Sequence, residues 1–291
     1  MPKRLTDNDT TRAIMWMIGA VFCFSALDAN AKLLSESVGP IPTVWARYAG
    51  QTAVVFVLVL PRLRSVLHSN YPRLQLARSV FLMCATTLFF IGISNIDLTA
   101  ATAIININPL FITIGTAVFL GESFGRRRAI AIGIAALGAL LVIRPGAAIF
   151  SVYALFPLAA ALFYSAYALT TRFVGRGEDI WTSLFYTALF GAVVLSFAVP
   201  FYWQPVGLRE VALMGMVTFF GTVSQLCVIR ALMVGEASML APFGYIGLLF
   251  ATFWSTVIFG ESPDIWTIAG ALVIAGAGIY VWHRETYSKS T

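Results

Sequence analysis

Apolar residues fall into ten stretches that are separated by short and mostly polar loops. We number them spans 1 to 10, at residues 13–34, 43–60, 76–94, 98–120, 128–143, 150–171, 180–200, 210–230, 237–259 and 265–282. A helix needs about 20 such residues to cross ~30 Å of hydrocarbon. The pattern therefore predicts an all-α integral membrane protein with ten transmembrane helices and no separate soluble domain.

Span 1 also has features of a secretory signal peptide. Lys3 and Arg4 precede it, and Ala29, Asn30 and Ala31 imitate the small-residue cleavage site of such peptides. The span is long enough to cross the bilayer, and its sequence recurs in mid-chain, as described below. We therefore expect it to remain as a helix of the protein.

Basic residues are distributed unevenly among the predicted loops. If the N-terminus is cytoplasmic, arginines and lysines occupy the loops on that side, whereas Arg144 and Arg209 lie on the other side. Lys and Arg are enriched in cytoplasmic loops of membrane proteins. The distribution predicts that both termini are cytoplasmic, and it also explains the formal net charge of +6 without a nucleic-acid partner.

Composition excludes several classes of function. The 291 residues are 59% hydrophobic and 11% charged, whereas soluble domains have about 25% charged residues. The three cysteines form no CxxC pair and there are two histidines, so we expect no metal site, no cofactor and no enzyme activity. No Gly-rich phosphate-binding loop followed by Lys and Ser or Thr occurs, so ATP is not the expected energy source.

The chain contains an internal repeat at an offset of 139 or 140 residues. Phe-Ser-Ala at 24–26 recurs as Tyr-Ser-Ala at 164–166, and Lys32 recurs as Arg172. Gly-Glu-Ser at 121–123 recurs at 260–262. These matches predict two repeats of five spans each, at residues 1–145 and 146–291.

An odd number of spans places the second repeat upside down in the membrane relative to the first. The loops support this orientation, because 125–128 contain three consecutive arginines and the equivalent 263–266 contain no basic residue. Inverted repeats of this kind surround a central site in transporters that work by alternating access.

These features together resemble the EamA-type branch of the drug/metabolite transporter superfamily. The resemblance rests on the two inverted repeats, the Gly-Glu-Ser sequences, Asn108-Pro109-Leu110 in span 4, and the small residues of spans 5 and 10. It implies a secondary transporter of small organic metabolites in the bacterial inner membrane. Similarity to exporters of aromatic and neutral amino acids implies amino-acid export. The alternatives are another small metabolite or drug as substrate, or a facilitative channel.

Span 1 contains two ionisable residues at membrane depth, where each charge costs about 2.5–3.5 kcal/mol on insertion scales. Asp28 and Lys32 stand four residues apart, the favourable order for a helical ion pair. One hypothesis is a self-neutralising pair with Lys32 extended toward the outer surface. The other is that Asp28 lines the cavity and binds a substrate ammonium or a coupling proton.

Span 2 places Val44, Arg47, Tyr48 and Gln51 on one helix face by i, i+3, i+4 and i+7 spacing. Arg47 lies about one turn inside the membrane, so it either extends to the surface or faces the cavity. In the cavity it would pair with Asp28 or bind a substrate carboxylate. Tyr48 is either a cavity residue or part of an interfacial aromatic belt.

Span 4 carries Thr102, Asn106 and Pro109 on one stripe, with Asn108 beside them. Pro109 has no N–H to donate, so the carbonyl of Ile105 loses its helical partner. We predict a bend at this point that faces the cavity, although hydrogen bonding between helices is the alternative role of these residues.

The remaining cavity candidates are the tyrosines and one glutamine of the second repeat, namely Tyr164, Tyr167, Gln225 and Tyr245. Aromatic walls with a few amide and hydroxyl groups suit an amphipathic metabolite. A phosphorylated substrate would require several buried basic residues, and Arg47 is the one that the spans offer.

The glutamates at helix junctions and the small residues of spans 5 and 10 each fit two roles. Glu122 and Glu261 stand at helix junctions, where a carboxylate either caps the following helix or takes part in proton coupling. Spans 5 and 10 are rich in small residues, which allow close helix contact either within one chain or between subunits. The protein is accordingly expected to be a monomer or a homodimer in the lipid bilayer.

Overall fold

The computed structural model describes residues 7–120, 126–143, 151–174, 178–234 and 241–287. Within these ranges the regular elements are helices, and they contain no β-strand. Every predicted span coincides with a helix in this part of the chain. Residues 237–240 of span 9, and the predicted repeat boundary at 145, lie outside the described residues.

The helices follow one another in chain order with short connections. Their bounds are α1 (Asp7–Val38), α2 (Pro40–Val59), α3 (Leu63–Val66), α4 (Pro72–Ile93), α5 (Leu98–Ile105), α6 (Asn108–Leu120), α7 (Arg126–Ile143), α8 (Leu155–Val174), α9 (Ile180–Ala198), α10 (Leu208–Val234), α11 (Ile246–Phe259) and α12 (Ile265–Tyr287). Span 4 thus comprises α5 and α6. The triplet that imitates a cleavage site lies inside α1, where Ala29 and Ala31 are fully buried.

Six helical segments are long and apolar enough to cross a membrane, namely Thr11–Val38, Pro40–Val66, Pro72–Ile93, Val152–Thr171, Ile180–Phe201 and Leu208–Val228. Shorter apolar helices lie at Leu98–Ile112, Ile130–Ile143, Phe243–Phe259 and Ile265–Tyr280. Large apolar side chains cover the outside, among them Phe201 at 85% exposure and Leu208 at 88%. Such a surface is stable only against lipid, so the chain is a multi-pass membrane protein.

The predicted bend in span 4 is present as a break between two helices. α5 ends at Ile105 with Asn106 as its C-cap, and α6 begins at Asn108. Pro109 occupies the first turn of α6, where its missing N–H breaks no helical hydrogen bond. A second irregular segment precedes α11, because Ala241–Tyr245 form a 3₁₀ helix around Pro242.

The helix contacts between the two halves of the chain come in equivalent pairs. α1 packs on α10, and its counterpart α8 packs on α4; likewise α2 packs on α10, and its counterpart α9 packs on α4. α2 also packs on α9, and α7 on α12, each helix with its own counterpart. Isologous pairing of this kind is what a two-fold relation between equivalent units requires. Equivalent helices of the two halves thus make equivalent contacts.

The small residues of spans 5 and 10 allow α7 and α12 to touch through their backbones. A methyl group added at Gly270 would lie 2.5 Å from the carbonyl oxygen of Gly138. A larger residue at either position would force the helices apart. The central core is separate from this pair, and residues of α1, α2, α4, α8 and α10 such as Leu27, Tyr48 and Phe90 form it.

Candidate functional site

The buried face of α2 is the face that the spacing predicts. Val44, Arg47, Tyr48 and Gln51 are all buried, because α2 is enclosed by α1, α9 and α10. Arg47 is 7% exposed and points into the protein. The alternative in which Arg47 extends to the membrane surface is therefore wrong.

Arg47 and Tyr48 share one partner on α4. Arg47 Nη1 donates to Thr86 Oγ1 at 3.2 Å, and the Tyr48 hydroxyl lies 3.1 Å from the same oxygen. The guanidinium also lies 5.8 Å from the ring centroid of Phe90, within cation–π range. Arg47 Nε is buried and has no hydrogen-bond partner among the described residues. One donor of this buried cation is thus unsatisfied within the described residues.

Asp28 lies on α1, half-buried, opposite α2. It makes no hydrogen bond and no ion pair within the described residues, and the charge of Arg47 is close enough to act on it. A carboxylate and a guanidinium with unused hydrogen-bonding capacity therefore lie close enough to interact electrostatically.

Lys32 does not pair with Asp28, so the predicted self-neutralising pair is wrong. Lys32 Nζ lies 2.7 Å from Glu261 Oε1 and donates to the Ile96 carbonyl at 3.1 Å. It also lies 4.7 Å from the ring centroid of Phe259, and the residue is 3% exposed. Lys32 pairs with Glu261 of the second repeat rather than with Asp28 on its own helix. Both carboxylate oxygens of Glu261 contact Nζ directly, which makes a strong charge-assisted interaction.

Glu261 does not cap the following helix. Its carboxylate accepts from Lys32 and, at 3.1 Å, from Ser255 Oγ. The start of α12 is capped by Asp264, whose Oδ1 accepts from the Thr267 N–H at 2.8 Å. Glu122, the equivalent residue of the first repeat, lies outside the described residues.

Another carboxylate lies at this corner of the molecule. Burial raises the pKa of Asp97, at the start of α5, and the negative charge of Glu261 raises it further, while Lys32 lowers it. The positive charge of Lys32 therefore compensates both Glu261 and Asp97.

The tyrosines of α8 lie beside Arg78, a buried residue that was not among the predicted site residues. The rings of Tyr164 and Tyr167 are 5.7 Å apart, and the Tyr167 hydroxyl accepts from Arg78 Nη2 at 2.9 Å. Arg78 Nε donates to Thr171 Oγ1 at 2.7 Å, and the residue is 8% exposed. Arg47 acts electrostatically on Tyr164, so Arg47 and Arg78 lie around the same tyrosine pair.

The sequence alone does not indicate Arg78 as a site residue, because a basic residue near the start of a span is typical of a cytoplasmic loop end. α4 begins at Pro72, so Arg78 lies in its second turn, where it is buried. Its spacing from Gln75, Ser79 and Thr86 on one helix face was the signal that could have revealed it. The argument against a phosphorylated substrate assumed that Arg47 is the one buried basic residue. This assumption is wrong, because Lys32 and Arg78 are buried as well.

The break between α5 and α6 exposes polar groups to the interior. Thr102 Oγ1 and Asn106 Nδ2 are buried without a hydrogen-bond partner among the described residues. The carbonyl of Asn108 accepts from Ser165 Oγ at 3.0 Å, which joins the break to α8. The ring of Pro109 lies outside the described side chains.

The remaining candidates are not joined to the Arg47 cluster by a described contact. Gln225 is half-buried on α10, one turn beyond Gly221, where an added methyl group would lie 3.8 Å from Arg47 Cγ. The hydroxyl of Tyr245 lies against the backbone of Gly278 on α12. Tyr245 thus lies in a helix-packing contact.

The site consists of two guanidinium groups, one carboxylate, tyrosine rings and a few unpaired polar groups. Among the described residues, no group of three or more His, Cys, Asp or Glu side chains is arranged to hold a metal ion. Such a site can bind a small molecule that carries charged groups and an apolar body.

Comparison with known proteins assigns this architecture to a family. The model of the EamA-like transporter family matches residues 11–144 and again 151–282. The two matches begin 140 positions apart, which is the offset of the internal repeat. A crystal structure of a protein with 18% sequence identity has the same fold, with a TM-score of 0.64 over 93% of this chain and 96% of that chain.

The chain is also similar to several curated bacterial transporters. It is 28% identical to the pseudopaline exporter of Pseudomonas aeruginosa (strain UCBPP-PA14), over 91% of this chain and 94% of the exporter. It is 27% identical to the S-adenosylmethionine uptake transporter of Rickettsia bellii, over 95% of each chain. The riboflavin transporter of Rhizobium johnstonii is 26% identical, over 93% of this chain and 91% of that protein. These relatives are transporters rather than enzymes.

Proposed function

Since the chain belongs to the EamA-like transporter family, we propose that it exports small amino-acid-like metabolites across the bacterial inner membrane by alternating access. The relatives carry different metabolites, and their names include both export and uptake. The substrate class must therefore come from the site of this chain.

One observation carries the proposal. Arg47 Nε is buried without a hydrogen-bond partner among the described residues. Asp28 lies within the electrostatic influence of Arg47 and makes no ion pair among the described residues. A buried charge without a partner is costly, so each of these groups gains most from a ligand of opposite charge. A zwitterionic substrate meets both needs, with its carboxylate at Arg47 and its ammonium at Asp28.

The rest of the site supports the same substrate class. Tyr164 and Tyr167 provide flat surfaces for an apolar or aromatic side chain. The unpaired Thr102 hydroxyl and Asn106 amide offer further hydrogen bonds at the break in span 4. The whole set comes from α1, α2, α4, α5 and α8, so substrate contacts both repeats.

Energy for transport comes from a gradient in this proposal. Asp28 is the candidate proton carrier, because it is a half-buried acid on which the charge of Arg47 acts and it has no fixed partner among the described residues. Export would then be coupled to proton entry, or would follow the substrate gradient alone.

The test is counterflow in proteoliposomes that contain the purified protein. Radiolabelled aromatic and neutral amino acids are supplied outside, with unlabelled substrate inside. We expect trans-stimulation by the internal substrate, and its loss in Arg47→Gln with retained protein yield. A growth screen of overexpressing cells against toxic amino-acid analogues checks direction, since an exporter confers resistance. Equal flux with and without internal substrate would identify a facilitative channel instead.

A second substrate class is favoured by Arg78. Its guanidinium adds a second buried positive charge beside Tyr167, whereas Asp28 supplies one negative charge. A metabolite with an additional carboxylate would balance this excess. Competition by glutamate against glutamine in the same counterflow assay separates the two candidates, because the two compounds differ only in the carboxylate.

A further inference from the structure

The Lys32–Glu261 ion pair joins the two repeats. Lys32 belongs to α1 of the first repeat, and Glu261 follows α11 of the second, 229 positions later. Both carboxylate oxygens lie within 2.8 Å of Nζ. The ion pair ties together segments that belong to different halves of the chain.

The surrounding contacts make this a junction of three segments. Lys32 also donates to the carbonyl of Ile96, in the connection between α4 and α5. Ser255 Oγ, on α11, donates to Glu261 Oε2, and the ring of Phe259 lies beside the ammonium. Asp97 and Asp264 add negative charge nearby. If Lys32 withdraws, several polar and charged groups at this junction lose their partner.

The pair lies one helical turn along α1 from Asp28 of the proposed substrate site. Lys32 follows Asp28 by one helical turn, about 6 Å along α1. Ser25, which is buried and has an unpartnered hydroxyl, lies on the same side of α1 about two turns below Lys32. Beyond the pair, Glu36 and Ser37 are exposed. Leu34 and Val38 remain buried, so beyond Lys32 one face of α1 is exposed and the other is packed in the core.

We infer that Lys32 and Glu261 form the gate that closes the substrate site toward the end of the membrane holding the C-terminus of α1. The inference rests on the proposed function, because it assumes a cavity that opens to alternate sides. When the repeats rock apart at this end, the pair must break. The repeat offset places the same types of charge at Arg172 and Glu122, so this charge pattern occurs in both repeats.

The test measures access to the site without any substrate. Cys23, Cys84 and Cys227 are replaced by alanine in the full chain, and Ser25→Cys is introduced as the reporter. Membrane vesicles of known orientation are treated with a membrane-impermeant maleimide. Ser37→Cys serves as the reference, because its exposed position is labelled in every state and identifies the side from which the gate is approached.

We expect Lys32→Gln and Glu261→Gln to raise the labelling rate at position 25 about tenfold, because breaking a buried pair shifts an open–closed equilibrium by an order of magnitude or more. Glu36→Gln is the matched control, since it removes an exposed charge one turn away and should change nothing. The reversed pair Lys32→Glu with Glu261→Lys should restore protection.

Unchanged labelling in both single variants, with Ser37→Cys labelled normally, would overturn the gate. So would an equal increase in Glu36→Gln, or a reversed pair that is folded and yet unprotected. A variant that fails to accumulate is replaced by the reversed pair, which keeps both charges. Because no transported compound enters this experiment, a failure of the gate is distinct from a wrong substrate class.

Discussion

Lys32 and Glu261 form an ion pair whose two members are buried to different degrees, with side-chain exposures of 4% and 28%. The consequence is an asymmetry in stability. Without Glu261, the buried ammonium loses its contacting carboxylate and keeps the Ile96 carbonyl, the Phe259 ring and the charge of Asp97 nearby. Without Lys32, the carboxylate reaches water on its exposed side and still accepts from Ser255.

We therefore expect Glu261→Ala to lower the free energy of unfolding by about 3 kcal/mol, in the range for breaking buried pairs, and Lys32→Ala by about 1–2 kcal/mol. Unfolding in detergent, followed by loss of helical circular dichroism, gives both values. The double variant should be less destabilised than the sum of the singles. Equal costs for the two single variants would contradict the asymmetry.

Arg47 is expected to contribute its charge to transport, while its fixed hydrogen bond contributes little. Arg47→Gln should reduce kcat/KM about 10- to 100-fold, since hydrogen bonds to charged groups contribute about 1.5–3 kcal/mol. Thr86→Val is the matched control, because it removes the partner of Nη1 and leaves the guanidinium in place. Initial rates of counterflow measure both variants, and a larger loss in Thr86→Val would mean that positioning, rather than charge, matters at this site.

Asp28 is expected to determine the pH dependence of transport. Asp28→Asn keeps the shape of the side chain but cannot bind or release a proton in the relevant range. If Asp28 carries the coupling proton, the variant should lose the dependence of counterflow on pH and the ability to concentrate substrate against a gradient, while exchange continues. The comparison uses Glu36→Gln, an exposed acid on the same helix. An unchanged pH profile in Asp28→Asn would exclude this role.

The unpaired amide of Asn106 is expected to bind substrate. Asn106→Ala should raise KM about tenfold at normal expression, the effect of losing roughly one hydrogen bond of 1.4 kcal/mol. Asn95→Ala is the control, because its amide is already satisfied by the Ile91 carbonyl at 2.8 Å. Substrate titrations of counterflow give the values. Normal kinetics in Asn106→Ala would remove it from the binding site.

Features that repeat along one helix could be predicted from the sequence. The buried face of α2 follows from the spacing of Arg47, Tyr48 and Gln51, because helical geometry fixes which side chains share a side. The break after Ile105 follows from Pro109, because proline lacks the N–H that continues a helix. Both are local effects, so a single segment contains all the information they need.

Features that depend on distant segments could not be predicted in the same way. Lys32 has an acid four residues away and yet pairs with Glu261, because only the fold brings α1 to the α11–α12 junction. Arg78 lies near the predicted start of span 3, where a basic residue is typical of a cytoplasmic helix end, yet Tyr167 and Thr171 of α8 accept its hydrogen bonds. Only the packing of α4 on α8 shows that this cation is buried and adds to the charge of the site.

The contact between α7 and α12 is expected to tolerate no side chain at its closest point. Gly270→Ala should destabilise the protein by about 1–3 kcal/mol, the range for overpacking, because its methyl group would lie 2.5 Å from the Gly138 carbonyl oxygen. Gly133→Ala is the matched control on α7, since no atom lies within 4 Å of its added methyl group. There the higher helix propensity of alanine should stabilise by about 0.5–1 kcal/mol. Thermal unfolding in detergent compares the two, and a Gly270→Ala protein as stable as Gly133→Ala would show that the helices separate without cost.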